Sequence, residues 1–287
     1  MNIKNKSLIE TEALGFTYPD GVRALEDITL SIKKGEFVGI LGANGSGKTT
    51  LLRLLNGLLK PAQGKVCLEQ RDMRGINRDA LFSRVCTCFQ NPDHQLFAPT
   101  VGLDIAFGPA NLGLSKDVVR SRVEESLKDV DMSEYHNRTI NSLSYGQKKR
   151  ICLAGVLAMG PEVILLDEPT SSLDPLGVNA IMHLLKDLNK QKGVTMVMST
   201  HSIDLVPIFI DRVIVLHKGR IVSEGAPQEV FSDSQKLSDA KLRLPRIGEL
   251  FDILKREDGF RIEGLPLTVG EARQELKSLL SSGSSGV

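Results

Sequence analysis

The chain has 287 residues, of which 41% are hydrophobic, so it can build a sizeable core as one large domain or as a domain with an appendage. Its 36 lysine and arginine residues balance 35 aspartate and glutamate residues and leave a net charge of +1. A nearly neutral chain has no strong field that would attract it to nucleic acid or to an anionic membrane, so nucleic acid is not an expected partner.

Cysteine spacing and hydropathy argue against a secreted disulfide-bonded protein and against a membrane-spanning one. The four cysteines show no C-x-x-C spacing, which favours reduced thiols in a cytosolic protein. The longest apolar stretch, residues 151–166, is interrupted by Gly160, Pro161 and Glu162 and falls short of the roughly 18 to 20 apolar residues of a spanning helix. The N-terminus also lacks an apolar signal core, so we expect a chain that neither crosses a membrane nor is secreted.

The order of predicted elements indicates an α/β fold. Alternating residues from Leu8 to Ile32, with a Pro-Asp-Gly turn at residues 19–21, predict antiparallel strands. An apolar run at residues 37–41 precedes a glycine loop and a helix that should extend to Lys60. Further strands are predicted at residues 85–89, 163–167, 194–200 and 212–216, and helices around 117–130, 147–159 and 177–191. Such alternation is typical of a mostly parallel core sheet covered by helices.

After about Val230 the sequence favours short amphipathic helices. One apolar stripe contains Ile247, Leu250, Phe251 and Leu254, and a second contains Val269, Ala272, Leu276 and Leu279. Neither helix can bury its stripe alone, so we predict that both pack on the main domain and across a dimer axis, in a dimer that persists without a bound ligand. The last residues, SSGSSGV at 281–287, predict a flexible tail.

The segment GANGSGKT, residues 42–49, fits the phosphate-binding pattern G-x-x-x-x-G-K-[ST]. Its glycines let backbone N–H groups surround phosphates, the following helix adds its positive end, Lys48 reaches the β- and γ-phosphates, and Thr49 offers a hydroxyl to Mg²⁺. A simple glycine-rich turn is the alternative, which the preceding strand and following helix disfavour. The residues expected to bind the nucleotide here are Gly42, Asn44, Gly45, Ser46, Gly47, Lys48, Thr49 and Thr50.

Polar residues follow three of the predicted strands. VILLDE, residues 163–168, ends a buried strand in two carboxylates: Asp167 suits Mg²⁺, and Glu168 can polarise an attacking water. His201 follows the strand at 194–200 and is expected to contact the γ-phosphate. Gln90 follows the strand at 85–89 and can sense water or Mg²⁺ without adding charge. Each residue alone also fits a structural role.

Tyr18, before the phosphate loop, has two open interpretations. Its ring can stack on a purine, or it can belong to the core of the hairpin.

The segment LSYGQKKR, residues 143–150, predicts a helix N-terminus with a capping box. Ser144 and Gln147 have the capping-box spacing S-x-x-Q, so the helix end presents free N–H groups, and Gly146 would let an anion approach. An ordinary capped helix is the alternative. The basic residues Lys148 to Arg150 are interpreted as a solvated face or as carboxylate partners rather than phosphate ligands.

The chemistry of phosphoryl transfer favours the functional interpretation of this helix start. An arginine finger supplies about 10³ to 10⁵ in rate, and no arginine obviously fills that role here. A helix dipole supplies only about 0.3 to 2 kcal/mol, which can suffice only in a closed, dry site. Another surface must therefore cover the nucleotide.

These motifs together resemble one family. GANGSGKT, Gln90, LSYGQ, VILLDEP, SSLD at residues 171–174 and His201 occur in the order found in ATP-binding-cassette (ABC) ATPases, over about residues 8–230. The resemblance implies a head-to-tail dimer in which the LSYGQ helix of one copy caps the γ-phosphate held by the phosphate loop of the other. It assigns Ser144, Gly146 and Gln147 to the partner's nucleotide, Asp174 to the dimer seam and Tyr18 to the adenine. The departure is Tyr145, where the family usually has glycine.

A finer resemblance concerns the branch of this family. FQNPDHQLF, residues 89–97, is similar to the loop of energy-coupling-factor importers of metals and vitamins, and LRLPRIGELFDIL, residues 242–254, to their cobalt-importing ATPase. The implied partners are a transmembrane scaffold subunit, whose coupling helix binds near residues 91–97, and a substrate-binding membrane subunit. Leu96 and Phe97 equally suit local packing. Nickel or a vitamin remains an alternative cargo, since membrane subunits recognise the substrate.

The expected protein is thus a P-loop ATPase that binds ATP and Mg²⁺, with Thr49, Gln90 and Asp167 at the metal, on the cytoplasmic face of the membrane. Its second cassette is another copy or a paralogous ATPase. The expected domains are a cassette at residues 1–230, with a helical subdomain at about 91–160, and a dimerising helical extension at 231–280. A soluble cassette of DNA repair or translation is less favoured because the chain has one motif set and no room for a long insertion. A small-molecule kinase would not require LSYGQ and SSLD.

Overall fold

The computed structural model describes the backbone of residues 7–283 and the side chains of residues 7–281. The strands in chain order are β1 (Ser7–Thr17), β2 (Arg23–Lys33), β3 (Phe37–Leu41), β4 (Gln63–Leu68), β5 (Arg71–Asp72), β6 (Val85–Cys88), β7 (Val163–Asp167), β8 (Thr195–Ser199), β9 (Arg212–His217) and β10 (Arg220–Gly225). The helices are α1 (Lys48–Leu55), α2 (Arg78–Arg84), α3 (Val101–Asn111), α4 (Lys116–Asp129), α5 (Tyr145–Ala158), α6 (Pro175–Lys192), α7 (Val206–Phe209), α8 (Pro227–Ser232), α9 (Ser234–Asp239), α10 (Arg246–Arg256) and α11 (Val269–Gly283).

Two sheets form the frame. The N-terminal sheet is antiparallel, in the order β2-β1-β4-β5, and the core sheet has the order β10-β9-β3-β8-β7-β6. In the core sheet all neighbours are parallel except the edge pair β9 and β10. The predicted α/β class with a parallel core sheet and an antiparallel N-terminal subdomain is confirmed.

The core sheet is buried on both faces. Along β3, Val38 and Ile40 belong to the apolar core shared with α1 and the N-terminal sheet, whereas Phe37 and Leu41 belong to the core on the opposite face. This alternation follows from the two-residue period of a strand. The second core is shared with α3, α5 and α6, and α3, α4 and α5 pack on one another as the helical subdomain. The carboxyl ends of β3, β7 and β8 consequently meet at one edge, where parallel sheets bind ligands.

Several boundaries differ from the sequence prediction. Helix α1 ends at Leu55 and not at Lys60, because Gly57 adopts a left-handed φ of 76° that terminates the helix. Strands β4, β5 and β10 and helices α2, α3 and α7 were not predicted. All but α3 are short, and α3, with 11 residues, contains Gly102, Gly108 and Pro109, which weaken a helical pattern.

The C-terminal helices were predicted and are present as α10 and α11. They bury Phe251 and Ala272 against each other and Ile262, whereas Leu250 and Leu276 stay exposed. The predicted flexible tail at 281–287 overlaps α11 up to Gly283, and residues 284–287 lie outside the described residues. Among the helices within residues 7–283, none combines the length and apolar character that a membrane span requires.

Candidate nucleotide site

The phosphate loop joins the buried strand β3 to helix α1. Gly47 caps the helix with φ 105°, and a Cβ there would lie 2.6 Å from Leu25 Cδ2 and 2.7 Å from the Ala24 carbonyl oxygen. At Gly42 a Cβ would lie 2.4 Å from Ser46 Oγ and from the Leu216 carbonyl oxygen. These two positions therefore require glycine, as a loop that wraps closely around phosphates does.

Lys48 is buried at the start of α1 and points back into the loop. Its Nζ donates to the carbonyl oxygens of Gly42, at 2.8 Å, and Ala43, at 3.2 Å. Burial lowers the pKa of Lys48, and the charges of Glu168 and Asp167 oppose that shift. The ammonium group thus lies within the field of both carboxylates at the end of β7.

The carboxylates are positioned by the neighbouring strand β8. Asp167 is in register with Ser199, whose hydroxyl donates to Asp167 Oδ1 at 2.6 Å. The Glu168 N–H in turn bonds to Ser199 Oγ at 3.1 Å, and Glu168 Oε2 lies 2.6 Å from His201 Nδ1. Ser199 was missed from the sequence, although its place as the polar last residue of an apolar strand was a usable signal. The structure therefore joins Asp167, Glu168 and His201 into one cluster.

A cavity of 940 Å³ contains most of the predicted residues. Its lining includes Tyr18, Gly42, Asn44, Gly45, Gly47, Lys48, Thr49, Thr50, Gln90, Asp167, Glu168 and His201. It also includes Lys241, Leu242 and Arg243 from the start of the C-terminal extension, which sequence reasoning did not assign to the site. Arg243 pairs with Asp204, three residues after His201, at 2.5 Å. The extension is thus attached beside the nucleotide site.

Tyr18 lies at this cavity without being part of the core. Its hydroxyl is 2.9 Å from Thr50 Oγ1, and its ring meets Phe16 edge to face at 4.9 Å. These two contacts fix the ring of Tyr18 at the cavity.

Helix α5 begins with the predicted capping box. Ser144 Oγ accepts from the Gln147 N–H at 3.3 Å, and Gln147 Oε1 accepts from the Ser144 N–H at 2.9 Å. The Gln147 amide nitrogen donates to Tyr135 Oη, so both of its polar atoms already have partners. Asp174 caps α6 by accepting from the Gly177 N–H at 2.7 Å. Ser144, Gly146, Gln147 and Asp174 are absent from the described lining of the cavity in their own chain.

The basic residues of α5 have different environments. Lys148 pairs with Asp93 at 2.6 Å and Arg150 with Asp131 at 3.2 Å, as the carboxylate-partner prediction requires. For Lys149 that prediction is wrong: the side chain is buried, and its Nζ donates to the Pro169 carbonyl oxygen at 2.7 Å. The sequence around Lys149 suggests a solvent-exposed basic segment, because the residues that bury its side chain lie about 20 positions further along the chain.

Known proteins match this chain over most of its length. The family model for the ABC transporter matches residues 25–171. A putative ABC transporter ATP-binding protein of Geobacter sulfurreducens is 51% identical over 267 residues, which is 93% of this chain and 96% of that protein. The energy-coupling factor transporter ATP-binding protein EcfA of Methanococcus maripaludis is 49% identical over 276 residues, 96% of this chain and 99% of that protein.

Among solved structures, CbiO1 of Clostridium perfringens, part of the ABC transporter complex CbiONQ, matches with a TM-score of 0.76 and 41% identity, over 87% of this chain and all of CbiO1. A dimeric ATP-binding cassette in a post-hydrolysis state with ADP and Pi matches with a TM-score of 0.68 and 32% identity, over 77% of this chain and 99% of that cassette. The chain therefore belongs to the ABC transporter family, as an ATPase of the energy-coupling factor type.

Proposed function

We propose that two cassettes hydrolyse ATP between them, with the phosphate loop of one chain facing the α5 N-terminus of a second copy or a paralogous ATPase. One observation carries this proposal: the predicted nucleotide residues divide into two groups within the chain. The loop residues other than Ser46, the two carboxylates and His201 line one cavity, whereas the exposed Ser144 and its capped helix contribute nothing to that lining. A helix start that binds anions but lies outside its own chain's site suits the nucleotide of another chain.

The residues present fit a nucleoside triphosphate. Ser46 Oγ is the one buried side-chain oxygen or nitrogen without a hydrogen-bond partner in the described part of the chain. It lies within the phosphate loop, between Gly45 and Gly47, which both line the cavity, and two residues before the buried Lys48. An unpaired buried hydroxyl is costly, by about 1 to 3 kcal/mol, and a phosphate oxygen is a suitable partner for it.

The donor set also fits Mg²⁺. The Thr49 hydroxyl, the Asp167 carboxylate and the Gln90 amide are oxygen ligands of the kind this ion prefers, and all three residues line the cavity. When bound, the ion would neutralise charge on the phosphates.

The chain's own groups supply the rest of the chemistry. Glu168 is proposed to accept the proton of the attacking water, while His201, at 2.6 Å, orients its carboxylate. Ser199 holds Asp167 and the Glu168 N–H and thereby fixes the spacing of the two acids.

An apolar groove is the proposed site for a membrane subunit. The groove measures 290 Å³, and its lining includes Phe89, Phe97 and Phe107, which are exposed. Leu96, in contrast, is buried, so of the two residues left open by the sequence only Phe97 is available to a partner. Gln95 links the groove to α5 through the Cys152 carbonyl oxygen, at 2.9 Å. We propose that a coupling helix of a transmembrane scaffold docks here, which places the chain at the cytoplasmic face of the membrane.

The C-terminal extension is proposed to hold two cassettes together without nucleotide. Helices α10 and α11 bury only part of their apolar stripes, and Leu250 and Leu276 remain exposed. Light scattering of nucleotide-free protein at micromolar concentration should report a dimer. A monomer under those conditions would contradict this role.

Cobalt is the proposed cargo, with nickel or a vitamin as the alternative. Support comes from the resemblance of residues 242–254 to the cobalt-importing ATPase of the energy-coupling-factor importers. Uptake of labelled cobalt, nickel and biotin by cells that express the chain with its flanking membrane genes distinguishes these cargoes. Cobalt uptake that Glu168→Gln abolishes is expected, and uptake of another cargo alone would reassign the substrate.

The motor role is tested by fractionation and by ATPase assays. The chain should co-sediment with membranes only when membrane subunits are co-expressed, and it should hydrolyse ATP without any small-molecule acceptor. A strict requirement for a phosphate acceptor would instead identify a kinase, and full activity with no membrane association would favour a soluble cassette.

A further inference from the structure

The most unusual charged group outside the nucleotide cavity is Lys149 on α5. The residue is only 6% exposed. Its ammonium group donates to the carbonyl oxygens of Pro169 (2.7 Å) and Glu168 (3.4 Å) and to Ser171 Oγ (3.3 Å). The Tyr145 ring centroid is 5.5 Å from Nζ. Within residues 7–281, no carboxylate forms an ion pair with it.

The apolar surroundings of Lys149 make burial of its charge energetically unfavourable. A small apolar cavity of 20 Å³ beside it is lined by Cys88, Leu153 and Leu166. Burial lowers the pKa of Lys149, opposed by the electrostatic influence of Cys88, Cys152 and Glu168. Apolar residues of similar volume would often stabilise such a position as well or better than a buried charge. A buried ammonium that binds mainly carbonyl oxygens therefore points to a requirement for a particular geometry.

The geometry that it fixes is that of the turn carrying Glu168. Glu168 has φ 47° and Ser172 has φ 61°, so two non-glycine residues within five adopt the left-handed region. Inside the turn, the Ser171 N–H bonds to the Glu168 carbonyl oxygen at 3.1 Å. Lys149 binds three oxygens of this same turn and so holds a conformation that the chain alone disfavours.

The other end of the connection is the start of α5. Lys149 is five residues after Ser144, a rise of about 7.5 Å along a helix. A displacement of the helix start would therefore move the Lys149 ammonium and, through it, the turn with Glu168. The Lys148 and Arg150 side chains bond to Asp93 and Asp131 instead and make no such connection.

We propose that Lys149 is a positioning residue that keeps the Glu168 turn in register with the N-terminus of α5. On the proposed function, that helix start binds the partner chain's nucleotide. Docking of α5 on one nucleotide would then orient the Glu168 carboxylate at the other, so that the two sites of a dimer become competent together. Lys149 itself does not line the nucleotide cavity and is not expected to touch ATP.

The test compares Lys149→Met with Lys149→Gln and with a matched control. Methionine keeps the length and apolar stem but removes the donor, whereas glutamine keeps an N–H donor without the charge. Lys186→Met is the control, because the Lys186 ammonium also binds a backbone carbonyl oxygen, that of Phe209 at 2.8 Å, and lies 5.7 Å from the Phe37 ring centroid. Unlike Lys149, it also forms an ion pair, with Asp211 at 2.7 Å. Lys186 lies on α6, away from the turn at residues 168–171.

Lys149→Met should lower kcat on the order of 10-fold to 100-fold while the Kd for ATP stays within about threefold. Lys149→Gln should recover much of the loss, and Lys186→Met should stay within about threefold of the parent protein. In nucleotide-free protein, hydrogen exchange of a peptide covering residues 168–173 should quicken about tenfold in Lys149→Met and not in Lys186→Met.

Unchanged turnover in Lys149→Met would overturn the proposal. So would lost turnover with unchanged exchange at residues 168–173, or an equal loss of ATP affinity, since either would indicate a general structural defect. If Lys149→Met does not fold, Lys149→Gln decides through a smaller effect: its turnover should fall and its exchange at residues 168–173 should quicken more than in Lys186→Met, and equality with Lys186→Met in both measurements would overturn the proposal. The exchange measurement needs no dimer, so full activity of Ser144→Ala would refute the shared site while leaving the exchange prediction intact.

Discussion

Replacing Ser144 with alanine separates a structural cap from a functional one. Within its own chain the Ser144 hydroxyl accepts one exposed cap hydrogen bond, from the Gln147 N–H at 3.3 Å. Its loss should lower the free energy of unfolding by about 1 kcal/mol and Tm by roughly 2 to 4 °C. A hydrogen bond to charge that develops in the transition state is worth far more, about 10²- to 10³-fold in rate. The two roles therefore predict different magnitudes.

Asn77→Ala is the matched control. Asn77 is another exposed helix cap, which accepts from the Asp79 and Ala80 N–H groups at 2.9 and 3.3 Å. Both variants should lose similar stability, measured by thermal melting, but only Ser144→Ala should lose turnover in a steady-state ATPase assay. Its affinity for a fluorescent ATP analogue should stay nearly intact, because Ser144 does not line the cavity of its own chain.

Two results would refute this reasoning. If Ser144→Ala loses no more turnover than Asn77→Ala, the residue is only a cap. If it loses most of its nucleotide affinity, Ser144 belongs to the site of its own chain.

Three further predictions concern the chemistry and the packing. Glu168→Gln should bind ATP but not hydrolyse it, so that ATP-loaded dimers accumulate in gel filtration; retained turnover would remove Glu168 as the base. Gly47→Ala should weaken ATP binding at least tenfold, because residue 47 has φ 105° and its new Cβ would lie 2.6 Å from Leu25 Cδ2. An unchanged Kd for ATP in a fluorescence titration would contradict the requirement for glycine. Burial raises the pKa of the Cys86 and Cys88 thiols to about 12. At pH 8 both should therefore react slowly with a thiol reagent in the native protein and quickly after unfolding, and equal rates in the two states would contradict their burial.

Local signals in the sequence were sufficient for the phosphate loop and the acids at the end of β7. The strand, the glycine loop and the helix lie in one continuous stretch of chain, and the carboxyl ends of parallel strands converge by geometry. Glu168 and His201 could thus be assigned to one site before their contact was seen. The capping box at Ser144 was equally predictable, because both of its hydrogen bonds join residues three apart.

Interactions between distant segments of the chain were harder to predict from the sequence. Lys149 looked solvated because its acceptors, the Pro169 carbonyl oxygen among them, lie 20 residues away. Lys241 and Arg243 reach the nucleotide cavity only because the extension folds back beside His201. Strand β10 pairs only with β9 at the sheet edge, where alternating exposure gives little burial and a weak pattern. In each case the deciding contact is tertiary.

The shared active site is tested most directly by mixing two inactive variants. Lys48→Ala destroys the phosphate loop but keeps the α5 start, and Gly146→Asp blocks the α5 start but keeps the loop. A mixed dimer would contain one complete site, so an equal mixture should regain ATPase activity: about a quarter of the parent activity if the two sites work independently, and less if docking of α5 at one site orients Glu168 at the other. If each chain owns its whole site, the mixture stays as inactive as its components.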